Sequence, residues 1–236
     1  MSKYGQFCPV AKTLEVVGDR WTLLIIRNML CGMTHFNDLE RGLPGISRPL
    51  LARRLRQLQR ACVIEKQLVG AGRQTTEYRL TRAGQDLRHV IGSMIVWGEA
   101  WACGEPAPDE LDAVLLMWLM RVDVRTDRLP QDLLVVQFSF RGKQSESYWL
   151  ILTPSDVSVC VTDPGYGIDV LVTADLDTYH KVWYGRIPLG QAVRDGGIKI
   201  EGTPRLVQDF PNWFWWNTAN GLRAAKIAAE MEPATD

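Results

Sequence analysis

The chain has 236 residues and a mass of 26.7 kDa, enough for one large domain or two smaller ones that bury a full core without disulfides or metal. Hydrophobic residues make up 46%, charged residues 23%, and 27 Lys and Arg cancel 27 Asp and Glu, which excludes a disordered chain, a collagen-like repeat and a protein basic throughout. The longest uncharged run, residues 210–222, is interrupted by Pro211 and falls short of the about 20 apolar residues a membrane helix needs. No basic-then-apolar leader opens the sequence, and Cys8, Cys31, Cys62, Cys103 and Cys160 are odd in number and scattered. A cytoplasmic protein with reduced thiols and no membrane partner is expected.

The zero net charge hides an asymmetry. Residues 1–104 carry fifteen Lys and Arg against eight Asp and Glu, and the remainder carries twelve against nineteen. A basic half points to a polyanionic partner, an acidic half to a separate task. Between them, Pro106 and Pro108 forbid a continuous helix and stiffen a joint. Two domains are expected, 1–104 and 109–236.

In the first, Val10, Leu14 and Val17 recur at helical spacing up to Gly18, and Asp19 is a suitable N-cap for a second helix through Trp21, Leu24 and Ile25. A short helix fits residues 36–41, ended by Gly42 and the turn-forming Pro44-Gly45. The next helix begins at Ser47-Arg48-Pro49, where proline is tolerated because a first-turn N–H has no helical partner. Leu51, Leu55, Leu58 and Cys62 fall on one stripe, and Pro49, Arg53, Arg56 and Arg60 fall opposite. Two alternating strands follow, 63–69 and 75–80, joined by a glycine-rich turn carrying Arg73.

Helices, a helix with an arginine ridge and a basic-tipped hairpin make a winged helix-turn-helix, whose natural partner is double-stranded DNA. Arg48 and Arg53 are the candidate base readers, while Arg54, Arg56, Lys66 and Arg73 are candidates for holding the phosphate backbone, with Ser47 and Pro49 at the helix start. A run of arginines on one helix face is on its own only a solvated face; the hairpin and the charge split favour the DNA reading.

After Thr81, a cap, Leu87, Ile91, Met94, Gly98 and Trp101 share a helical stripe flanked by Val90, Ile95 and Trp97. That apolar surface is too large for a 104-residue half to hide, so a homodimer through this helix is expected, with packing against the second half as the alternative.

The motifs Cys8-Pro9, Gly18-Asp19-Arg20-Trp21-Thr22, Gly32 with His35-Phe36, Leu43-Pro44-Gly45-Ile46-Ser47, Leu55-Arg56-Gln57-Leu58 and Tyr78-Arg79-Leu80-Thr81 resemble the successive signatures of HxlR-type bacterial transcription regulators over about 95 residues. The resemblance implies a dimeric, MarR-like winged-helix repressor or activator on a pseudo-palindromic operator. Cys62 stands where the family usually has glycine, and Pro49 where a polar residue is typical. Cys8 matches a cysteine that senses oxidants or electrophiles in some relatives, so a redox- or electrophile-sensing regulator is an alternative.

The second half changes idiom. A strongly apolar helix at 111–120 precedes candidate strands at 133–140, 148–152, 157–161 and 168–172, then helices at 175–184 and 189–194, a strand at 198–200 and helical structure from residue 204. The fold class is α+β: a winged helix-turn-helix domain, then an antiparallel sheet covered by helices on one side. Six of the nine Trp lie after residue 104. Trp118, Phe138, Phe140, Trp149, Tyr179 and Trp183 are candidate pocket residues, aromatic side chains being core first and ligand walls second.

Residues Asp175-Leu176, Val182-Trp183-Tyr184-Gly185, Ile187, Leu189, Ala192, the run 196–202 beginning Gly196-Gly197-Ile198, and 206–214 resemble the C-terminal pattern of sterol-carrier-protein type-2-like domains, across about 121–216. This implies an apolar tunnel for a lipid or other hydrophobic small molecule, and thus a one-component regulator whose operator affinity responds to a hydrophobic effector. A lipid carrier is the alternative from another class. His35, His89 and His180 are not in metal spacing, and no Cys-x-x-Cys, phosphate-cradling glycine loop or nucleophile elbow occurs. His180 near Asp177 is a surface-pair spacing. Neither a catalytic centre nor a cofactor or metal is expected.

Overall fold

The computed structural model describes residues 3–70, 75–130, 132–141 and 146–216. The chain divides into two compact units, residues 1–102 and 103–236.

The first unit runs α1 (Pro9–Val17), α2 (Thr22–Leu30), α3 (Phe36–Arg41), α4 (Arg48–Arg60), β1 (Ile64–Val69), β2 (Thr75–Leu80) and α5 (Arg82–Trp101). Ile25 and Ile26 of α2, Leu39 of α3, Leu51, Leu55 and Leu58 of α4 and Ile64 of β1 are buried together as its core, each contributing about 1.5–3 kcal/mol. Contrary to the capping expected of Asp19, α2 starts at Thr22, with Trp21 at φ 80 as its N-cap. Asp19 is spent elsewhere, on Arg54.

Close approaches fix the path between helices. The side chain of buried Asn28 donates to the Gly42 carbonyl at 2.8 Å, and a Cβ on Gly42 would lie 2.6 Å from that same amide nitrogen, so α3 ends where α2 allows it. At the start of α5, the Thr81 hydroxyl accepts from Gly84 N and donates to the carbonyl of Cys62. A Cβ on Gly84 would stand 2.2 Å from the Val63 carbonyl. Cys62 has φ 55, the left-handed conformation that glycine adopts without steric cost. Its thiol is exposed, and those of Cys31 and Cys160 are half-buried.

In the hairpin, β1 and β2 pair antiparallel from Ile64 opposite Leu80 to Val69 opposite Thr75. The segment before α3 joins its outer side, with Tyr78 N donating to Thr34 O at 2.8 Å and a bridge between His35 and Glu77.

The second unit runs α6 (Ala113–Val122), β3 (Leu134–Arg141), β4 (Glu146–Leu152), β5 (Val157–Cys160), β6 (Val170–Asp175), α7 (Leu176–Trp183), α8 (Leu189–Arg194), β7 (Ile198–Gly202) and α9 (Pro204–Asp209), with a 3-10 turn at Phe210–Trp213. Its strands lie in the order β5-β4-β3-β6-β7. The expectation of an antiparallel sheet is corrected to a mixed one. The strands β3 and β6 pair parallel, Val136 opposite Val170, while the other neighbours are antiparallel. After β5 the chain crosses back over the β3–β4 pair to reach the free side of β3, so β6 arrives in the same direction as β3.

One sheet face carries Val136, Phe138, Phe140, Leu150, Leu152 and Val172, all buried against Leu116, Met117 and Met120 of α6 and Tyr179, Val182 and Trp183 of α7. Among the described residues, no helix is long and apolar enough to cross a membrane.

Candidate nucleic-acid interface

The helix α4 starts at Ser47, which takes extended backbone angles as N-cap but makes no capping hydrogen bond, and Pro49 sits in its first turn. Leu51, Leu55 and Leu58 anchor its inner side at no more than 1% exposure. Arg53, Arg56 and Arg60 project from the outer side and are exposed, as are Ser47 and Pro49. Arg53 and Arg56 have no ion-pair or hydrogen-bond partner among the described residues. Two unpaired guanidinium groups, almost a turn apart, therefore face solvent from the same helix face. Lys66 on β1 is also exposed, opposite Tyr78 in the hairpin register. Arg73 lies outside the described residues.

The remaining two arginines are engaged within the unit. Arg48 is exposed but committed: its guanidinium donates to the Glu40 carboxylate and to Asn37 Oδ1, and lies 5.0 Å from the Phe36 ring. It ties the start of α4 to α3. Arg54, expected to hold a phosphate, is corrected: it is only 8% exposed. It ion-pairs with Asp19, donates through Nε to the Arg20 carbonyl at 3.2 Å, and donates to Gln57 Oε1 at 2.8 Å. The cause is helical phase, because residue 54 lies three positions after Leu51 and four before Leu58 and so shares their side. The sequence reading missed Asp19, Asn28 and Gln57; the signal for Asp19 was the inward phase of the arginine that needs it.

An open groove of about 680 Å³ is lined by residues of α2, the hairpin and α5, among them Met29, Tyr78 and Gln85. Cys8 is a half-buried free thiol at the N-cap of α1.

The six candidate pocket residues of the second unit do not form one lining. Phe138, Phe140, Tyr179 and Trp183 belong to a single packed core, with Tyr179 making edge contacts at 5.8 and 5.6 Å to the two Phe rings. Trp149 alternates with core residues Tyr148 and Leu150 and so faces the other side of the sheet. Trp118 is half-buried outside that core, with the Arg121 guanidinium 5.7 Å from its ring. The expectation of a common pocket is corrected for these two. His180 is 8% exposed rather than a surface residue. Burial lowers its pKa from 6.5, against the opposing pull of the Asp112 backbone and of the Asp112 and Asp177 carboxylates. Among the described residues, no group of three or more His, Cys, Asp or Glu could hold a metal ion.

Residues 16–105 match the HxlR-like helix-turn-helix family. Over 92 residues the chain is 41% identical to an uncharacterised HTH-type transcriptional regulator of Mycobacterium tuberculosis, covering 39% of this chain and 58% of that protein. Over 94 residues it is 33% identical to the uncharacterised HTH-type transcriptional regulator YdeP of Bacillus subtilis, covering 40% of this chain and 73% of that one. The chain thus spans little more than half the length of the mycobacterial relative. Among solved structures, the reduced form of the transcriptional regulator YodB from Bacillus subtilis is 28% identical with a TM-score of 0.37, covering 41% of this chain and 96% of that one.

Proposed function

The chain belongs, through residues 16–105, to the HxlR-like helix-turn-helix family, and on that premise we propose that it is a dimeric, one-component transcription regulator whose operator affinity is set by a hydrophobic small molecule in its second unit. The observation that carries the DNA reading is the presentation of Arg53 and Arg56, unpaired and exposed, on the side of α4 away from its buried leucines. A helix about 10–12 Å across fits the major groove, and a guanidinium there donates to guanine O6 and N7. In this arrangement Arg53 reads a base, Arg56 and Lys66 hold phosphates, and Ser47 and Pro49 approach the backbone at the helix start; Arg73, between the two strands in sequence, is proposed as a further phosphate contact. Arg48, exposed at the helix start, and Arg54, buried on its inner side, act by fixing where α4 lies.

Support for the dimer comes from apolar side chains left in solvent. Val10 and Leu14 of α1 and Val90, Met94, Trp97 and Trp101 of α5 are all exposed, Trp101 at 79%. Two-fold pairing through these helices buries that surface and sets two copies of α4 about 34–36 Å apart, one duplex turn. The acidic second unit, with its closed aromatic core, supplies the input.

The test selects preferred duplexes from a random library with the full chain and then measures affinity by fluorescence anisotropy. The Arg53→Ala variant is expected to lose about 1–3 kcal/mol and to relax preference at one base pair. An unchanged affinity and preference would eliminate Arg53 as a base reader. Binding without any sequence preference would remove the regulator reading and leave a ligand carrier with a basic face.

A further inference from the structure

The aromatic core of the second unit contains polar hydrogens that no acceptor among the described residues meets. Tyr179 and Trp213 are both fully buried, yet Tyr179 Oη and Trp213 Nε1 have no hydrogen-bond partner among the described residues. The two belong to one cluster. Phe138 touches Tyr179 at 5.8 Å and Phe210 at 6.4 Å between ring centroids, Phe210 touches Trp213 at 5.6 Å, and Trp216 touches both Tyr179 and Phe210 at 6.3 and 6.2 Å. Trp216 shows what such a group does when an acceptor is present: its Nε1 donates to the Pro211 carbonyl at 2.8 Å. Burial also raises the Tyr179 pKa well above its ordinary value, so the hydroxyl keeps its proton and remains a donor.

An indole N–H only donates, and a phenol's strength in an apolar interior lies in its O–H. Leaving such a group unsatisfied is costly, and native interiors rarely leave two in one cluster. A third buried donor lies on the same side of the unit. Arg125 Nε also lacks a partner among the described residues, while the Arg125 backbone N donates to Trp213 O at 2.7 Å and its guanidinium lies 4.5 Å from the Trp215 ring. The set is all donors, so its complement is an acceptor.

We infer that the interior of the second unit takes an apolar molecule bearing a hydrogen-bond-accepting oxygen, which Tyr179 meets through Oη–H and Trp213 through Nε1–H. This deepens the effector reading proposed above and rests on it. The rings are in mutual contact, so the guest enters by parting them. Trp216, at 6% the most exposed ring among these, is the one that yields. The selectivity then lies in the oxygen, and the hydrocarbon body supplies the bulk of the affinity.

The experiment uses the full chain, with 2-nonanone and nonane as probes matched in length, and follows tryptophan fluorescence on titration. Tyr179→Phe is expected to weaken 2-nonanone by about five-fold, the weight of one ordinary hydrogen bond, and to leave nonane unchanged; Trp213→Phe is expected to show the same split. Ligand-free Tyr179→Phe is expected to melt no lower than the parent, because it removes a hydroxyl that has no partner. If both probes bind and Tyr179→Phe treats them alike, this inference falls and the effector reading stands. If the ligand-free variant melts lower, the hydroxyl has an internal partner and the inference falls in the same way. If neither probe binds the parent protein, both fall together.

Discussion

Replacing Asp19 by Asn tests how α4 is held. The carboxylate it removes is one of three partners of the Arg54 guanidinium, the others being the Arg20 carbonyl and the Gln57 side chain. Breaking a fully buried ion pair costs about 3–5 kcal/mol, and an exposed one about 0–1 kcal/mol. Here the Arg54 side chain is 10% exposed and that of Asp19 47%, so solvent screens one partner only and the expected loss is about 1.5 kcal/mol. In a unit of this size 1 kcal/mol shifts the melting point by about 4–8 °C, which places the drop at about 6–12 °C. Scanning calorimetry on the full chain resolves the unit that moves. A double-mutant cycle with Arg54→Met isolates the pair and is expected to return a coupling near 1.5 kcal/mol. A melting point within about 1 °C of the parent, with coupling near zero, would refute the argument and make the contact incidental to how α4 is seated.

Trp97→Glu places a charge in the exposed apolar stripe of α5. It is expected to weaken self-association at least about 100-fold in sedimentation equilibrium, because an unpaired carboxylate cannot enter an apolar interface cheaply. Gly84→Ala drives a methyl group toward the Val63 carbonyl, a backbone atom that cannot swing aside; the first unit is expected to lose about 1–3 kcal/mol in denaturant unfolding. His180 titrates below its ordinary value of 6.5 in the folded chain, so the unfolded chain binds the proton first as pH falls. The second unit is therefore expected to hold its full stability above about pH 6.5 and to lose it progressively below, a slope that His180→Gln removes. A flat profile in the parent protein between pH 7 and pH 5 would contradict the burial of that imidazole.

The parts of the fold that local chemistry decides were readable in the sequence. Residues 36–41 form α3 and residues 189–194 form α8 at the ends anticipated, since glycine, proline and apolar spacing mark them. Thr81 caps α5 as its position implied. Reading strands at hairpin distances as antiparallel neighbours failed at β6, because the choice between the free edge of β5 and that of β3 depends on which faces are covered and not on anything within residues 170–175. At α4, the spacing of leucine and arginine identified the buried and exposed faces correctly for Arg53 and Arg56. It misplaced Arg54, where charge was weighed above phase. Arg48 shares the phase of Leu51 and Leu55 but is exposed at the first position of the helix, where a carboxylate 8 residues earlier in the chain occupies it. The two sheet faces separated Trp149 from Phe138 by simple alternation, a rule that the grouping by residue type ignored.

The parallel β3–β6 pair also has a temporal consequence. Val135 and Asp169, hydrogen-bonded to each other beside that pair, are 34 residues apart, and the central strand gains its second neighbour only when the chain has been made past residue 170. His35 and Glu77, bridged in the first unit, are 42 residues apart, but that whole unit precedes residue 103, and chains emerge from the ribosome with the N-terminal end ahead. The first unit has thus left the ribosome whole while the unit that follows it is still an open sheet awaiting its middle.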